Sequence, residues 1–275
     1  MQVGIVGLGL MGGSLGLALR ETKMFKSIIG LDMNSLHEQQ ALSLGLIDEI
    51  ADFETIRECD VIVLAVPVSA IVQILQSLPP LRTHTTLIDF GSTKEQIVRV
   101  LPQVIARNYV PAHPMCGTEH SGPKAAFKEL YHNKLMIMFD GLDSGELQRT
   151  LAKEMFIALG MQIVHMPLAE HDHHAAYISH LPHIISFALA NAILQQEDFK
   201  NILALAGGGF RGMVRLANSS ARMWTDIAEQ NQQNLLQSMQ NFEQEMRKAE
   251  KMIQESRWDE FFEWIEQANR IHRIF

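Results

Sequence analysis

Short apolar runs separated by helix-length stretches fill the first 166 positions of the chain. Gln2–Val6, Ile28–Leu31, Val61–Val66, Thr86–Phe90, Tyr109–Ala112, Leu135–Phe139 and Gln162–Val164 read as strands. Met11–Arg20, Ser35–Leu44, Ala70–Leu78, Lys94–Ala106 and the stretch from about Gly145 to Leu159 read as helices between them. Strands that are apolar throughout, instead of alternating, are buried on both faces, and their alternation with helices predicts a parallel, doubly wound α/β sheet. Right-handed crossovers then gather the strand carboxyl ends on one edge.

After Met166 the strand signals stop. Residues 168–196 are mostly helix formers, and Gly207-Gly208-Gly209 predicts a loop, since three glycines destabilise a helix. From Ser220 to Ile253 one apolar stripe runs through Trp224, Ala228, Asn231, Leu235, Met239, Phe242, Met246, Ala249 and Ile253 in steps of three and four, as on one helix face. Trp258–Ile271 is a last amphipathic helix. The expectation is a Rossmann-type domain over 1–166 followed by an all-α domain over 167–275.

Charge narrows the partners. The chain carries a net charge of −8 and no Lys/Arg run, so no nucleic-acid partner is expected. Two distant cysteines, Cys59 and Cys116, offer neither a disulfide framework nor zinc spacing. No basic, apolar leader opens the chain and no run of about 18 apolar residues is evident, so the expectation is a cytoplasmic protein without a membrane span.

The candidate chemistry begins at the first turn. Gly7-Leu8-Gly9-Leu10-Met11-Gly12 follows a strand and opens a helix, the context in which G-x-G-x-x-G binds a dinucleotide. Asp32 ends the next strand 20 residues after Gly12, where a carboxylate accepts from both ribose hydroxyls and repels a 2′-phosphate. NAD is therefore the expected cofactor, with Val66 and Pro67 lining its groove. Ser92 and His113 follow the fourth and fifth strands, at the edge where open α/β sheets bind ligands. Ser92 also reads as the N-cap of the helix at Lys94. His113, flanked by Pro111 and Pro114, is either a fixed loop histidine or a base able to act near neutral pH. His171, His173, His174, His180 and His183 lack metal-ligand spacing, so no metal is expected; His180 and His183 suit one cleft, with Pro182 kinking their helix. Arg211 and Arg215 are placed to present guanidinium groups to carboxylates, with only one of them expected to do so.

Taken together, Gly7–Gly12, Ser92-Thr93-Lys94, His113–Glu119, Ser179–His183, Gly207–Arg215 and Met223-Trp224 resemble the prephenate/arogenate dehydrogenases over essentially the whole chain. The resemblance implies oxidative decarboxylation of prephenate to 4-hydroxyphenylpyruvate with NAD. It assigns His113 as acceptor of the ring-hydroxyl proton and Ser92 as orienting that histidine. It places His183, with His180 close by, on the substrate side chain and Arg215 on a carboxylate. Gly208 and Trp224 shape the pocket, and Thr118 and Glu119 lie on a covering loop. It also implies a homodimer built on the helical domain, which the long apolar stripe fits. With the helical domain last, neither the fused chorismate mutase nor the regulatory ACT domain of longer members is expected. Glu119 leaves arogenate open, because a carboxylate pairs with its ammonium. A β-hydroxyacid dehydrogenase is a further alternative, disfavoured because residues 167–196 contain no lysine. An NAD-binding sensor is the non-enzyme alternative, disfavoured by the joint presence of His113, Ser92 and Arg215.

Overall fold

The computed structural model describes residues 1–274. Eight strands form one sheet: β1 (Gln2–Val6), β2 (Ser27–Leu31), β3 (Glu49–Ile50), β4 (Val61–Leu64), β5 (Thr86–Asp89), β6 (Tyr109–Pro114), β7 (Leu135–Phe139) and β8 (Gln162–Met166). Their order is β3-β2-β1-β4-β5-β6-β7-β8. The first six run parallel. The expectation of a wholly parallel sheet is corrected at β7, which runs antiparallel to β6 and carries β8 parallel to itself. The cause lies in residues 115–134, which hold only 3₁₀ turns at Pro123–Ala125 and Lys128–Leu130. Without a crossover helix the chain doubles back. The carboxyl ends of β1, β4, β5 and β6 share one edge, and those of β7 and β8 lie on the other.

The doubly buried strands feed two cores. Val3, Ile5, Val61, Val63 and Ile88 pack on one face of the sheet. Ile29, Ile62, Leu64 and Leu87 pack on the other. Six helices cover these faces: α1 (Leu10–Thr22), α2 (Ser35–Ser43), α3 (Phe53–Arg57), α4 (Val68–Ser77), α5 (Glu95–Arg99) and α6 (Glu146–Ala158). The helix expected over Lys94–Ala106 stops at Arg99, because Pro102 disfavours helical backbone in the residue before it. Close approach explains two glycines of α1. A Cβ on Gly12 would overlap the carbonyl oxygen of Gly7, and one on Gly16 that of Leu46.

The second half is helical: α7 (Leu168–Ala175), α8 (Leu181–Leu194), α9 (Phe199–Ala204), α10 (Gly208–Val214), α11 (Ala221–Gln230), α12 (Gln232–Gln254) and α13 (Trp258–Asn269). Three expectations change here. Gly208 and Gly209 open α10 instead of lying in a loop, with Gly207 as its N-cap. The single helix expected over Ser220–Ile253 breaks at Asn231, whose φ and ψ of −116° and 32° leave the helical region. Pro182 does not interrupt its helix; a π-helical turn at Ala176–His180 joins α7 to α8. A proline has no N–H to return to the carbonyl four residues back, which is one way such a turn is accommodated.

That composite helix, Leu168–Leu194, is long and apolar enough to cross a membrane by length and composition, contrary to the expectation of no such run. Only 17% of its most apolar window is buried within one chain. Its inner end carries the buried, hydrogen-bonded His171, Asp172 and His180, so at that end it is a core helix of this fold.

Candidate active site

Where β1 meets α1, Gly7 adopts φ +93°, a conformation favouring glycine, and a Cβ there would strike the Ala65 carbonyl. A Cβ on Gly9 would meet nothing within 4 Å, so the backbone at the start of α1 faces open space. That helix has no capping side chain and no acid in its first turn. Its N–H groups and positive dipole end are therefore free for a phosphate. Asp32 Oδ2 accepts from Leu8 N–H at 2.8 Å and Oδ1 from Asn34 N–H at 2.9 Å, which holds the carboxylate beside the turn.

A cavity of about 1440 Å³ runs from this turn to the helical half. Gly9, Leu10, Met11, Val66 and Pro67 line the end at the glycine-rich turn. Ser92 and His113 line its middle, and Thr118, Glu119, His180, His183, Arg215 and Trp224 its far end. Of the expected site residues, Gly7, Leu8, Gly12 and Asp32 do not line it. Gly208 is exposed on α10 and does not line the cavity within one chain.

The His113 ring is held by a residue that sequence reasoning placed only within a histidine-rich run. His113 Nδ1 lies 2.8 Å from His171 Nε2, and His171 Nδ1 lies 2.7 Å from Asp172 Oδ1. The carboxylate fixes both tautomers. Asp172 accepts from His171 Nδ1–H, so His171 Nε2 is an acceptor, His113 Nδ1 carries the proton, and His113 Nε2 keeps its lone pair. Burial, then the neighbouring His171, Lys94 and His180, hold His113 well below the usual imidazole range. It is neutral at pH 7, as a proton acceptor must be. Ser92, expected to orient His113, makes no hydrogen bond to it.

Asp172 also displaces Ser92 as the cap of α5. Its carboxylate accepts from Lys94 N–H at 2.9 and 3.1 Å and from Glu95 N–H at 2.9 Å. Beneath Ser92, the buried Lys94 Nζ donates to Asp89 Oδ1 at 2.5 Å and to the Gly91 carbonyl at 2.6 Å, which ties the Ser92 loop to the strand end.

At the far end His183 stacks on Trp224 with ring centroids 3.6 Å apart, and its Nδ1 donates to the Ser179 carbonyl at 2.9 Å. Its other nitrogen is left as an acceptor. Burial, with a smaller contribution from Arg215, lowers its pKa. His180 Nδ1 accepts from Asn231 Nδ2 at 3.2 Å, and burial lowers its pKa to about 4. Asn231 Nδ2 also donates to the Asp172 carbonyl at 2.7 Å, which links the break between α11 and α12 to the relay. Arg215 Nη1 lies 3.9 Å from Glu119 Oε2. Arg211 instead turns back to the Ala206 carbonyl, so one of the two arginines faces the cavity. Among the described residues no cluster of three or more His, Cys, Asp or Glu is placed to hold a metal ion. Burial pushes the Cys116 thiol up to about 12, so it is protonated.

An open helix N-terminus and a neutral histidine thus share one cavity, with the Asp32 carboxylate held beside the turn at its end. Residues 15–165 match the family model described as prephenate dehydrogenase, nucleotide-binding domain, and residues 167–267 its dimerization domain. The chain belongs to the prephenate dehydrogenase family. Prephenate dehydrogenase of Bacillus subtilis is 31% identical over 96% of this chain and 73% of its own length. The prephenate dehydrogenase of Aquifex aeolicus, solved with hydroxyphenyl propionate and NAD+, matches with a TM-score of 0.92 and 29% identity, covering 100% of this chain and 97% of that one. An arogenate dehydrogenase from Synechocystis matches with a TM-score of 0.81 and 28% identity, over 99% of each chain. The chain is accordingly an NAD-dependent oxidoreductase of this family, and the β-hydroxyacid and sensor alternatives fall away.

Proposed function

We propose that this enzyme oxidatively decarboxylates prephenate to 4-hydroxyphenylpyruvate, as a cytoplasmic homodimer. The observation that carries the reading is His113 Nε2, a free lone pair in the cavity fixed by His171 and Asp172. NAD, when bound, supplies the hydride acceptor. The open start of α1 and Asp32 would hold its pyrophosphate and ribose, with Val66 and Pro67 as a wall.

The protein's part is orientation, exclusion of water and custody of one proton. His113 Nε2 takes the ring-hydroxyl proton as hydride leaves the same carbon. The ring carboxylate then departs as carbon dioxide and the ring becomes aromatic. His113 returns the proton to the phenolic oxygen, so none is left over. While the proton sits on His113, the imidazolium donates through Nδ1 to His171 and is balanced by Asp172. Ser92, free of His113, offers its hydroxyl to the substrate oxygen.

The far end favours a keto acid over an amino acid. Arg215 and His183 suit a carboxylate and a carbonyl. An ammonium group needs a carboxylate, and of those near Arg215 and Trp224, Glu119 faces Arg215 while Asp226 accepts from the Ser69 N–H at 3.0 Å. Ile178, Leu194, Leu205 and Phe262 are exposed by 67, 58, 88 and 66%, which a second copy of the helical half would cover. Twice the chain mass by light scattering is expected; a monomer at micromolar concentration rejects the dimer.

The decisive assay follows NAD reduction by absorbance with prephenate and with arogenate, for the wild type and His113→Ala. Turnover of prephenate that His113→Ala abolishes is expected. Preferred turnover of arogenate moves the assignment to that substrate. Turnover of neither, with NAD still bound, defeats the reading.

A further inference from the structure

Three helices begin at the edge that faces the cavity: α1 after β1, α4 after β4 and the short α5 after β5. Each exposes unpaired N–H groups and a positive dipole end. They are treated differently. The start of α1 is open. That of α5 is capped by Asp172, and that of α4 by Asp226, whose Oδ2 accepts from Ser69 N–H at 3.0 Å. Both caps come from the helical half, 78 and 157 residues away in sequence. The N-cap position of α4 is Pro67, which has no side chain able to cap it. Without Asp226, that end of α4 has no side-chain partner.

We infer that Asp226 is a positioning residue that sets the Val66–Pro67 wall of the cofactor groove from the substrate half of the cavity. Pro67 directly precedes α4, so the register and tilt of the helix start fix where Val66 and Pro67 stand. Asp226 sits on α11, which packs on α4 and also carries Trp224 of the substrate end. One hydrogen bond therefore ties the cofactor wall to the helix that lines the substrate pocket. The two acidic caps have a second consequence. A carboxylate at the starts of α4 and α5 repels a pyrophosphate from both, which leaves α1 as the favoured anion-binding terminus.

The inference rests on the cofactor assignment of Val66 and Pro67. Its test is therefore direct NAD binding by calorimetry, which needs no turnover and does not depend on which substrate is correct. Asp226→Ala is expected to weaken NAD binding roughly three- to ten-fold, the loss of one cap transmitted to the wall. KM for NAD should rise by a similar factor and by more than the substrate KM. Asp226→Asn keeps an oxygen that accepts from Ser69 N–H and should stay within about two-fold of wild type. Asp52→Ala is the control: Asp52 caps α3 through Thr55 N–H at 2.8 Å, away from the cavity, and its loss should lower Tm without weakening NAD binding. The inference is overturned if Asp226→Ala binds NAD like wild type, if Asp226→Asn is as weak as Asp226→Ala, or if Asp52→Ala weakens NAD equally.

Discussion

His113 is held by His171: Nδ1 of the first lies 2.8 Å from Nε2 of the second. Because His171 is itself fixed by Asp172, truncating it frees the His113 ring to rotate and to change tautomer. His171→Ala is expected to lower kcat roughly 10- to 100-fold, a part of the roughly 100- to 10,000-fold that a positioned acid/base contributes as a whole. KM for NAD should be unchanged. His171→Gln, whose amide oxygen can accept from His113 Nδ1–H, should recover part of the loss. Wild-type kcat in His171→Ala would show that the relay has no part in turnover.

Acidification tests the same group from another side. The proposed role as proton acceptor requires a neutral His113, and burial, with His171, Lys94 and His180, holds its pKa well below the ordinary 6.5. The sign follows directly: kcat/KM should stay flat on the acid side of neutrality and fall only once pH drops below the ordinary imidazole range. A profile at saturating NAD checks this. A midpoint at or above about 6.5 contradicts the buried, neutral ring.

Two glycines of the first turn should separate folding from binding. A Cβ on Gly12 would overlap the Gly7 carbonyl, so Gly12→Ala should force the β1–α1 turn apart and lower Tm or abolish folding. A Cβ on Gly9 meets nothing in the protein. Gly9→Ala should fold with wild-type Tm and still bind NAD at least about ten-fold more weakly, since the added methyl occupies the space of backbone approach to the pyrophosphate. Equal Tm losses in both variants would contradict this division.

What the sequence made legible was local. Gly7–Gly12, Asp32 and Ser92 follow strands and His113 lies near the end of β6, so strand order alone brings the last two to the same edge as the glycine-rich turn. The direction of β7 was not legible, because an apolar run carries the same pattern whichever way it runs. The helix break at Asn231 was hidden for a similar reason. Asn231 holds a stripe position, and its buried side chain reaches the Asp172 carbonyl and His180 instead of packing. His171 and Asp172 were lost among neighbouring histidines. Their roles depend on contacts 58 and 78 residues away in sequence, with His113 and Lys94, and no periodicity encodes those.

His180 couples the site to stability. It is buried, and its pKa is lowered from 6.5 to about 4, chiefly by burial against an opposing pull from Asp172. An unfolded imidazole titrates at about 6.5, so on acidification the unfolded state takes up the proton first. Stability from the neutral ring is complete above that value and is lost as pH falls toward 4. The full loss is about 3 kcal/mol, and about 2 kcal/mol is already gone at pH 5. Denaturant unfolding at pH 7 and pH 5 should show wild type losing about 2 kcal/mol more than His180→Asn between the two, with other titrating groups cancelling in the comparison. An equal loss in both proteins would mean that His180 is not held neutral by its surroundings. The ring would then be free to carry charge beside Asn231 and Trp224, and the account of His180 as a neutral acceptor from Asn231 would have to be given up.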